Sequence, residues 1–487
     1  MALPNPRRTK IVATIGPASD SPEAIESLLR AGVDVFRLGL AHESVDRVLE
    51  RLALIRKLSE QTGISAAVLA DLPGPKVRAG SFGDGVELVT GSTVTLRAGV
   101  DPSTKVLIHV SYDRLAETVE PGDNLTLGDG KVVIEVSDSG LDELTGRVVF
   151  GGAVKGRPGV HIPADRLDVS SPTADDLAAV DPLVEAGIDM VAVSFVRTAR
   201  DIRALGLERA PVGPLVIAKI ETQAAVDNLD TILDVSDGVM VACGDLGLEC
   251  SLPQLPGLQK RIIESAVRAG RPVITATQML ESMTEGPLPT RAEVNDVANA
   301  VHDGTSAVML SGETAIGIDP TRVIEMMNEI LLDAERSFDT RAWARRVESL
   351  GELRPMDTAA RVTDAVSAAS MRTIASLAPR SVVCITGSGA TARAICRYRP
   401  DAAVFAVTTD ERTFRQLNLV WGQHRSWGQP PVKSRCESVQ CSETSSRTGT
   451  YVRARSCRSS PVPHTTRWPR TSCASRLSTP ADMRLGV

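Results

Sequence analysis

No run in this 487-residue chain approaches the roughly 18–20 apolar residues that cross a bilayer, which argues against a membrane span. The opening residues, Met1-Ala2-Leu3-Pro4-Asn5-Pro6-Arg7-Arg8, lack the apolar core of a signal peptide and lead straight into a strand-like segment. Cysteine is sparse, eight in all, with neither a disulfide framework nor paired CxxC spacing, so a reducing cytoplasm is the expected compartment. Excess positive charge is missing too. A net charge of −6 and a pI of about 5.7 argue against nucleic acid as the principal partner. What is present is length, enough for roughly three domains and ample core burial.

The average charge hides a split. From His424 to Val487 there are eleven Lys/Arg against three Asp/Glu, a balance of +8 that leaves −14 on the first 423 residues. That tail also holds Cys436, Cys441, Cys457 and Cys473, and two of the four tryptophans. It is rich in Ser, Thr, Arg and Pro and shows neither helical nor strand periodicity, so disorder is expected. The mixture fits out-of-frame translation of a GC-rich gene; a functional basic tail is the alternative.

Eight short β-branched runs recur with helix-length segments between them: Ile11–Ile15, Val33–Leu38, Ala66–Ala70, Met190–Phe195, Leu215–Ile220, Gly238–Ala242, Pro272–Ala276 and Ala307–Leu310. Alternating strands and helices predict parallel βαβ units, and eight of them predict an α/β fold closed as a (β/α)8 TIM barrel. Asp20-Ser21-Pro22-Glu23 offers a helix cap with proline near the first position. Ile25, Leu28 and Leu29 then fall on one face and Gly32 closes the helix.

One gap is too long for a helix. Residues 74–166 read as short strands and turns (Val86–Val89, Thr93–Leu96, Asn124–Leu127, Val132–Val136), an inserted β-barrel domain hinged at Pro73-Gly74-Pro75 and Arg157-Pro158-Gly159. At the mouth of a barrel such an insertion is placed to act as a lid. The expected division is therefore barrel, first part, 1–73; lid 74–166; barrel, second part, 167–340; a partial C-terminal α/β domain 357–423; and the aberrant tail 424–487.

The chemistry concentrates where strands end. Lys219 and Glu221 close the run Leu215–Ile220, and Asp245 follows Gly238–Ala242. Side chains at the carboxyl ends of neighbouring parallel strands converge on one mouth. Two carboxylates and an ammonium there suit a divalent cation and a developing anion. A structural ion pair between strand ends is the other reading.

With these pieces placed, the chain resembles the pyruvate kinases. The resemblance is carried by Arg8-Thr9-Lys10-Ile11-Val12-Ala13-Thr14-Ile15-Gly16-Pro17-Ala18-Ser19, by Ile217-Ala218-Lys219-Ile220-Glu221 and by Gly244-Asp245-Leu246-Gly247. Ala276-Thr277-Gln278-Met279-Leu280, Pro289-Thr290-Arg291-Ala292-Glu293 and Val308-Met309-Leu310-Ser311-Gly312-Glu313-Thr314 extend it. It runs in order over about 1–423.

The resemblance implies an enzyme that moves the phosphoryl group of phosphoenolpyruvate to ADP, giving pyruvate and ATP, with Mg²⁺ or Mn²⁺. It implies Glu221 and Asp245 as metal ligands and Lys219 as the cation that neutralises the transferring group and the enolate oxygen. Gly244, Asp245 and Thr277 would hold the substrate carboxylate, and Arg37 a phosphate. Arg78 and His42 would contact the nucleotide, with a structural loop histidine as the alternative for His42. Ser311 and Glu313 fall in the family's proton-relay region. Thr386-Gly387-Ser388-Gly389-Ala390-Thr391 corresponds to an effector-phosphate loop, of which Thr386, Ser388, Gly389 and Thr391 are the candidate contacts, although an ordinary turn would read the same. A homo-oligomer, a tetramer in the family, is implied as well.

The chain also departs from the family. Members usually read Arg-Leu-Asn-Phe/Leu-Ser-His where this chain has Arg37-Leu38-Gly39-Leu40-Ala41-His42, so the Asn and Ser that help ligate K⁺ are gone. Asp71 remains, but the expected threonine is Leu72, and Lys76 stands where K⁺-dependent members tend to carry Glu. An ammonium from Lys76 could take the ion's place beside Asp71, making K⁺ unnecessary; a solvated lysine on a hinge is the alternative. Cys243 replaces the usual Arg and reads as a small buried residue rather than a reactive thiol. Besides the active enzyme, these changes leave open an impaired paralogue with a binding or regulatory role, and another barrel enzyme of enolate chemistry.

Overall fold

The computed structural model describes residues 7–423 except 42, 129, 164–165, 168 and 352–357, together with 450–453 and 485–486. Eight parallel strands close a barrel: β1 (Lys10–Thr14), β2 (Val35–Gly39), β3 (Ala67–Leu72), β4 (Met190–Val193), β5 (Leu215–Ile220), β6 (Gly238–Ala242), β7 (Val273–Ala276) and β8 (Ala307–Leu310). Each strand pairs with its neighbours in sequence, and β1 pairs with β8 through Lys10 opposite Ala307. The strands are buried on both faces, which is why they read as continuous β-branched runs and not as alternation. Val12, Val35, Leu69, Met190, Ile217 and Ile274 fill the interior. The larger shell under the helices takes the opposite-facing residues such as Ile11, Phe36 and Val68.

The helix Pro22–Ala31 forms as its cap signals require. Ser21 Oγ accepts from the Ala24 N–H, proline stands in the first turn, and Gly32 ends the helix at φ 112°. Ile25, Leu28 and Leu29 are its buried face. After β7 the helix Arg291–Asp303 opens on a capping box between Thr290 and Glu293.

The insertion between β3 and β4 is a six-stranded sheet with its own core of Leu96, Ile108, Leu125, Ile134 and Leu144, plus a two-stranded ribbon pairing Val86–Leu88 with Gly152–Val154. The strands Leu107–Val110, Glu143–Phe150, Gly152–Val154 and Val160–His161 were not anticipated from the sequence. Residues such as Glu143-Leu144-Thr145-Gly146-Arg147 alternate too weakly to announce a strand without their partners.

The C-terminal unit has the helix Thr358–Leu377, then the parallel strands Ser381–Ile385 and Ala403–Val407. Most of the expected disordered tail lies outside the described residues. Thr450–Arg453 is an exception: it pairs with Ser381–Ile385 and in turn with Leu485–Gly486, a correction at those six positions. Thr450-Tyr451-Val452 combines β-branched and aromatic residues, which favour a strand. Among the described residues no helix is long and apolar enough to cross a membrane.

This unit also seals the barrel floor, the amino-terminal end of its strands. Asp189, fully buried just before β4, accepts from Arg56 at 2.5 Å and from Arg415 at 2.8 Å. Gln416 Nε2 donates to Asp189 O and Gly213 O, and Asn418 Nδ2 to Ser65 Oγ. Leu419 enters the barrel's interior cluster itself. Leu419→Ala is therefore expected to cost about 2–5 kcal/mol, as for a large buried side chain truncated where neighbours cannot collapse. Thermal unfolding followed by circular dichroism checks this; an unchanged midpoint would place Leu419 outside the core.

Candidate active site

At the opposite end, the carboxyl-terminal halves of the strands and the turns beyond them bring six side chains into one connected cluster. Arg37 in β2 donates from Nε to Asp71 Oδ2 at 2.6 Å, and from a terminal nitrogen to Thr14 Oγ1 at 3.1 Å. Lys219 Nζ lies 3.5 Å from Asp71 Oδ1 and 2.8 Å from Glu221 Oε1, and donates to Ser194 Oγ at 2.7 Å. Ser194 Oγ in turn reaches Asp71 Oδ1 at 3.4 Å, and the Phe195 N–H donates to Glu221 Oε2 at 2.7 Å. Sequence reasoning missed Ser194 and Phe195, because Met190–Phe195 reads as one strand; β4 ends at Val193 and the two residues form a turn beyond it. The signal that could have found them is the one that found Lys219 and Asp245: polar function placed just past a β-branched run.

The charges follow from burial and neighbours. Burial alone would push the Lys219 ammonium down, but Asp71 and Glu221 outweigh it and hold Lys219 above its ordinary value. Asp71 is pushed up by burial, yet Arg37 and Lys219 bring it below the usual carboxylate range. Glu221 moves the other way: burial and the Asp245 carboxylate raise it against the pull of Lys219. The Asp245 carboxylate is thus close enough for Glu221 to feel its charge. Among the described residues no cluster of three or more His, Cys, Asp or Glu could hold a metal ion, and Glu221 with Asp245 is the pair of carboxylates that could serve one here. Hard oxygen donors, few in number, fit an ion such as Mg²⁺ that keeps positions for water and substrate.

Asp245 lies in the helix Cys243–Glu249 that follows β6, and Thr277 just after β7. The Gly244 N–H donates to Thr277 Oγ1 at 2.8 Å. Thr277 and Gln278 both have positive φ, 72° and 56°. Two successive non-glycine residues in that region, one of them β-branched, mark a strained loop of the sort that clusters at functional sites. Glu313 is fully buried, its oxygens accepting from the Leu280 N–H at 3.0 Å and the Ser311 N–H at 2.7 Å. It thus braces the loops after β7 and β8, while Ser311 sits at the turn out of β8.

The remaining candidates fall around this centre. Lys76 stands exposed on the hinge. Partial desolvation and the Lys219 cation, then Arg78 and Arg37, lower its ammonium against the pull of Asp71. Arg78 donates to Arg157 O at 3.3 Å, joining the two hinge segments. His42 lies outside the described residues. Cys243 Sγ donates to Gln259 Oε1 at 3.2 Å, and burial with Asp296 pushes the thiol up to about 12, so it is inert at neutral pH. The inserted domain reaches the helix that carries Asp245, where His161 Nε2 lies 3.0 Å from Glu249 Oε1. In the C-terminal unit Thr386 and Thr391 are turned inward, Ser388 is half-buried, and Gly389 has φ 75° at the start of the seven-residue helix Ala390–Cys396.

Comparison with known proteins finds matches over most of the chain. The family model described as pyruvate kinase, barrel domain, matches residues 6–324, and that of the pyruvate kinase alpha/beta domain matches 364–450, reaching past the point near 423 where the motif likeness stops. A pyruvate kinase of Methylorubrum extorquens is 41% identical over 420 residues, covering 86% of each chain. One of Sporosarcina psychrophila is 41% identical over 426 residues (85% of this chain, 71% of that one), and one of Geobacillus stearothermophilus 39% over 422 (85% and 71%). None of these matches favours the impaired paralogue.

Proposed function

The chain belongs to the pyruvate kinase family, and on that premise we propose how its barrel mouth moves the phosphoryl group of phosphoenolpyruvate to ADP. The activity is that of a phosphotransferase yielding pyruvate and ATP. The observation that carries the assignment of roles is Lys219, largely shielded from solvent and charged, between Asp71, Glu221 and Ser194. Phosphoryl transfer asks for positioning and neutralisation more than for covalent chemistry. The Lys219 ammonium faces the oxygens on which charge develops as the enolate leaves. Arg37 offers its remaining N–H groups to a phosphate while Asp71 fixes its orientation. Thr277 and the Gly244 amide, now bonded to each other, exchange that bond for the substrate carboxylate. Arg78 on the hinge contacts nucleotide phosphates.

Members of the family use a divalent metal ion. Glu221 and Asp245 would hold it here, as Mg²⁺ with Mn²⁺ as substitute, and bound there it would neutralise phosphoryl and enolate oxygens. The cytoplasm is the proposed compartment and a homo-oligomer the proposed assembly.

K⁺ is dispensable in this reading. Gly39, Ala41 and Leu72 offer no side-chain oxygen, and both Asp71 oxygens already face Arg37, Ser194 and Lys219. Lys76 brings a further fixed positive charge within electrostatic reach of Asp71. The testing experiment is a coupled pyruvate-release assay in K⁺ and in a large organic cation at equal ionic strength, where equal rates are expected. Lys76→Glu should lose activity at least about tenfold, by placing an uncompensated carboxylate near the phosphates, and K⁺ should restore little. A strong K⁺ requirement in the parent protein would refute this role for Lys76.

A further inference from the structure

Both segments that join the inserted domain to the barrel end on the same turn, Ser194–Phe195. On the incoming side Gly74 has φ 65°, and a Cβ there would lie 3.0 Å from Phe195 Cδ2 and 3.3 Å from both Ser194 Cβ and Ser194 O. Its N–H donates to Asp176 Oδ1 at 3.4 Å. On the outgoing side Ser171 Oγ donates to Ser194 O, and Asp176 Oδ2 accepts from the Thr173 N–H at 2.8 Å, so the one buried carboxylate ties the two segments together. The turn then presents two polar groups inward: the Ser194 hydroxyl to Lys219 and the Phe195 amide to Glu221. Phe195 itself has φ 53°, a conformation an aromatic residue holds only where its surroundings over-determine it.

We propose that the Ser194–Phe195 turn couples the inserted domain's position to the orientation of Lys219 and Glu221, with Ser194 as a positioning residue for the phosphoryl-transfer step. The proposal rests on the roles given above to Lys219 and Glu221. The hydroxyl matters because Lys219 has two carboxylates competing for it, 3.5 and 2.8 Å away. A third, neutral partner fixes which way the ammonium points without cancelling its charge. The hinge glycine matters because motion there is felt first by Ser194 and Phe195, with no intervening layer of side chains.

The test is a double-mutant cycle of Ser194→Ala with Lys219→Met, read as kcat and KM for phosphoenolpyruvate, with Gly74→Ala as a second variant acting from the hinge. Ser194→Ala is expected to lower kcat roughly ten- to a hundredfold with KM changed less than about threefold, an interaction felt in the transition state and not in binding. Gly74→Ala, which alters no group in the mouth, should lower kcat in the same sense. If Ser194 acts through Lys219, the double variant is no slower than Lys219→Met alone. Additive losses, or a Ser194→Ala enzyme within twofold of the parent, would overturn the coupling while leaving Lys219's role intact. A Lys219→Met enzyme near parental turnover would remove the premise and the coupling with it. Unfolding midpoints of each variant separate these outcomes from loss of folded protein, because a purely structural role would lower the midpoint and leave kcat per folded molecule unchanged.

Discussion

Lys219→Met is expected to lower kcat by a factor on the order of 10³ or more, about 4 kcal/mol of transition-state stabilisation. Methionine keeps the aliphatic length and removes the charge. The ammonium is committed to the charged state: Asp71 and Glu221 outweigh the burial that would neutralise it, so at working pH the mouth always carries this cation. Phosphoenolpyruvate binding should weaken far less, because Arg37 and the amides around Gly244 remain. The substitution also leaves Asp71 and Glu221 without their shared neighbour, and Asp71 keeps Arg37. Steady-state kinetics with the coupled assay, alongside an unfolding curve, make the measurement. Turnover within tenfold of the parent would take Lys219 out of the role.

The barrel was legible because its strands are buried on both faces. A run such as Leu215-Val216-Ile217-Ala218 cannot be much else when it recurs eight times at βα spacing, and β5, β6 and β8 have the bounds read from sequence. The ends of strands were less legible, and the site is built from ends. Phe195 continues an apolar run in one dimension, yet in space it turns back at positive φ to bond Glu221. Glu313 illustrates the converse. Its motif places it near the chemistry, but which way its carboxylate points depends on the amides of Leu280 and Ser311, supplied by a different loop and a neighbouring turn. The link between Gly244 and Thr277, 33 residues apart, is likewise a product of adjacent strands and invisible to spacing. Sequence therefore named the residue types that meet, and the sheet's register decided which of them touch.

That register decides the second large effect, on metal. Glu221→Gln and Asp245→Asn each remove one negative charge from the pair of carboxylates proposed above to hold the divalent ion. The carboxylate of Glu221 is held from two sides, by Lys219 at Oε1 and by the Phe195 amide at Oε2, so its orientation is set before any ion arrives. An amide at 221 would keep the size but turn an N–H₂ toward one of those donors, disturbing the aim as well as the charge. At 245 the backbone sits in the first turn of the helix Cys243–Glu249, and an amide there changes charge with little change of shape. Losing a charged oxygen donor from a site with so few should raise the Mg²⁺ concentration for half-activity by on the order of a hundredfold, with partial recovery at high metal. Direct binding, followed with Mn²⁺ by electron paramagnetic resonance, should weaken in parallel. It should weaken more for Glu221→Gln than for Asp245→Asn, because Glu221 directly contacts both Lys219 and the Phe195 amide of the Ser194–Phe195 turn. Unchanged Mg²⁺ titrations in both variants would show that the ion is held elsewhere, and the two carboxylates would then be nothing more than partners that keep Lys219 charged.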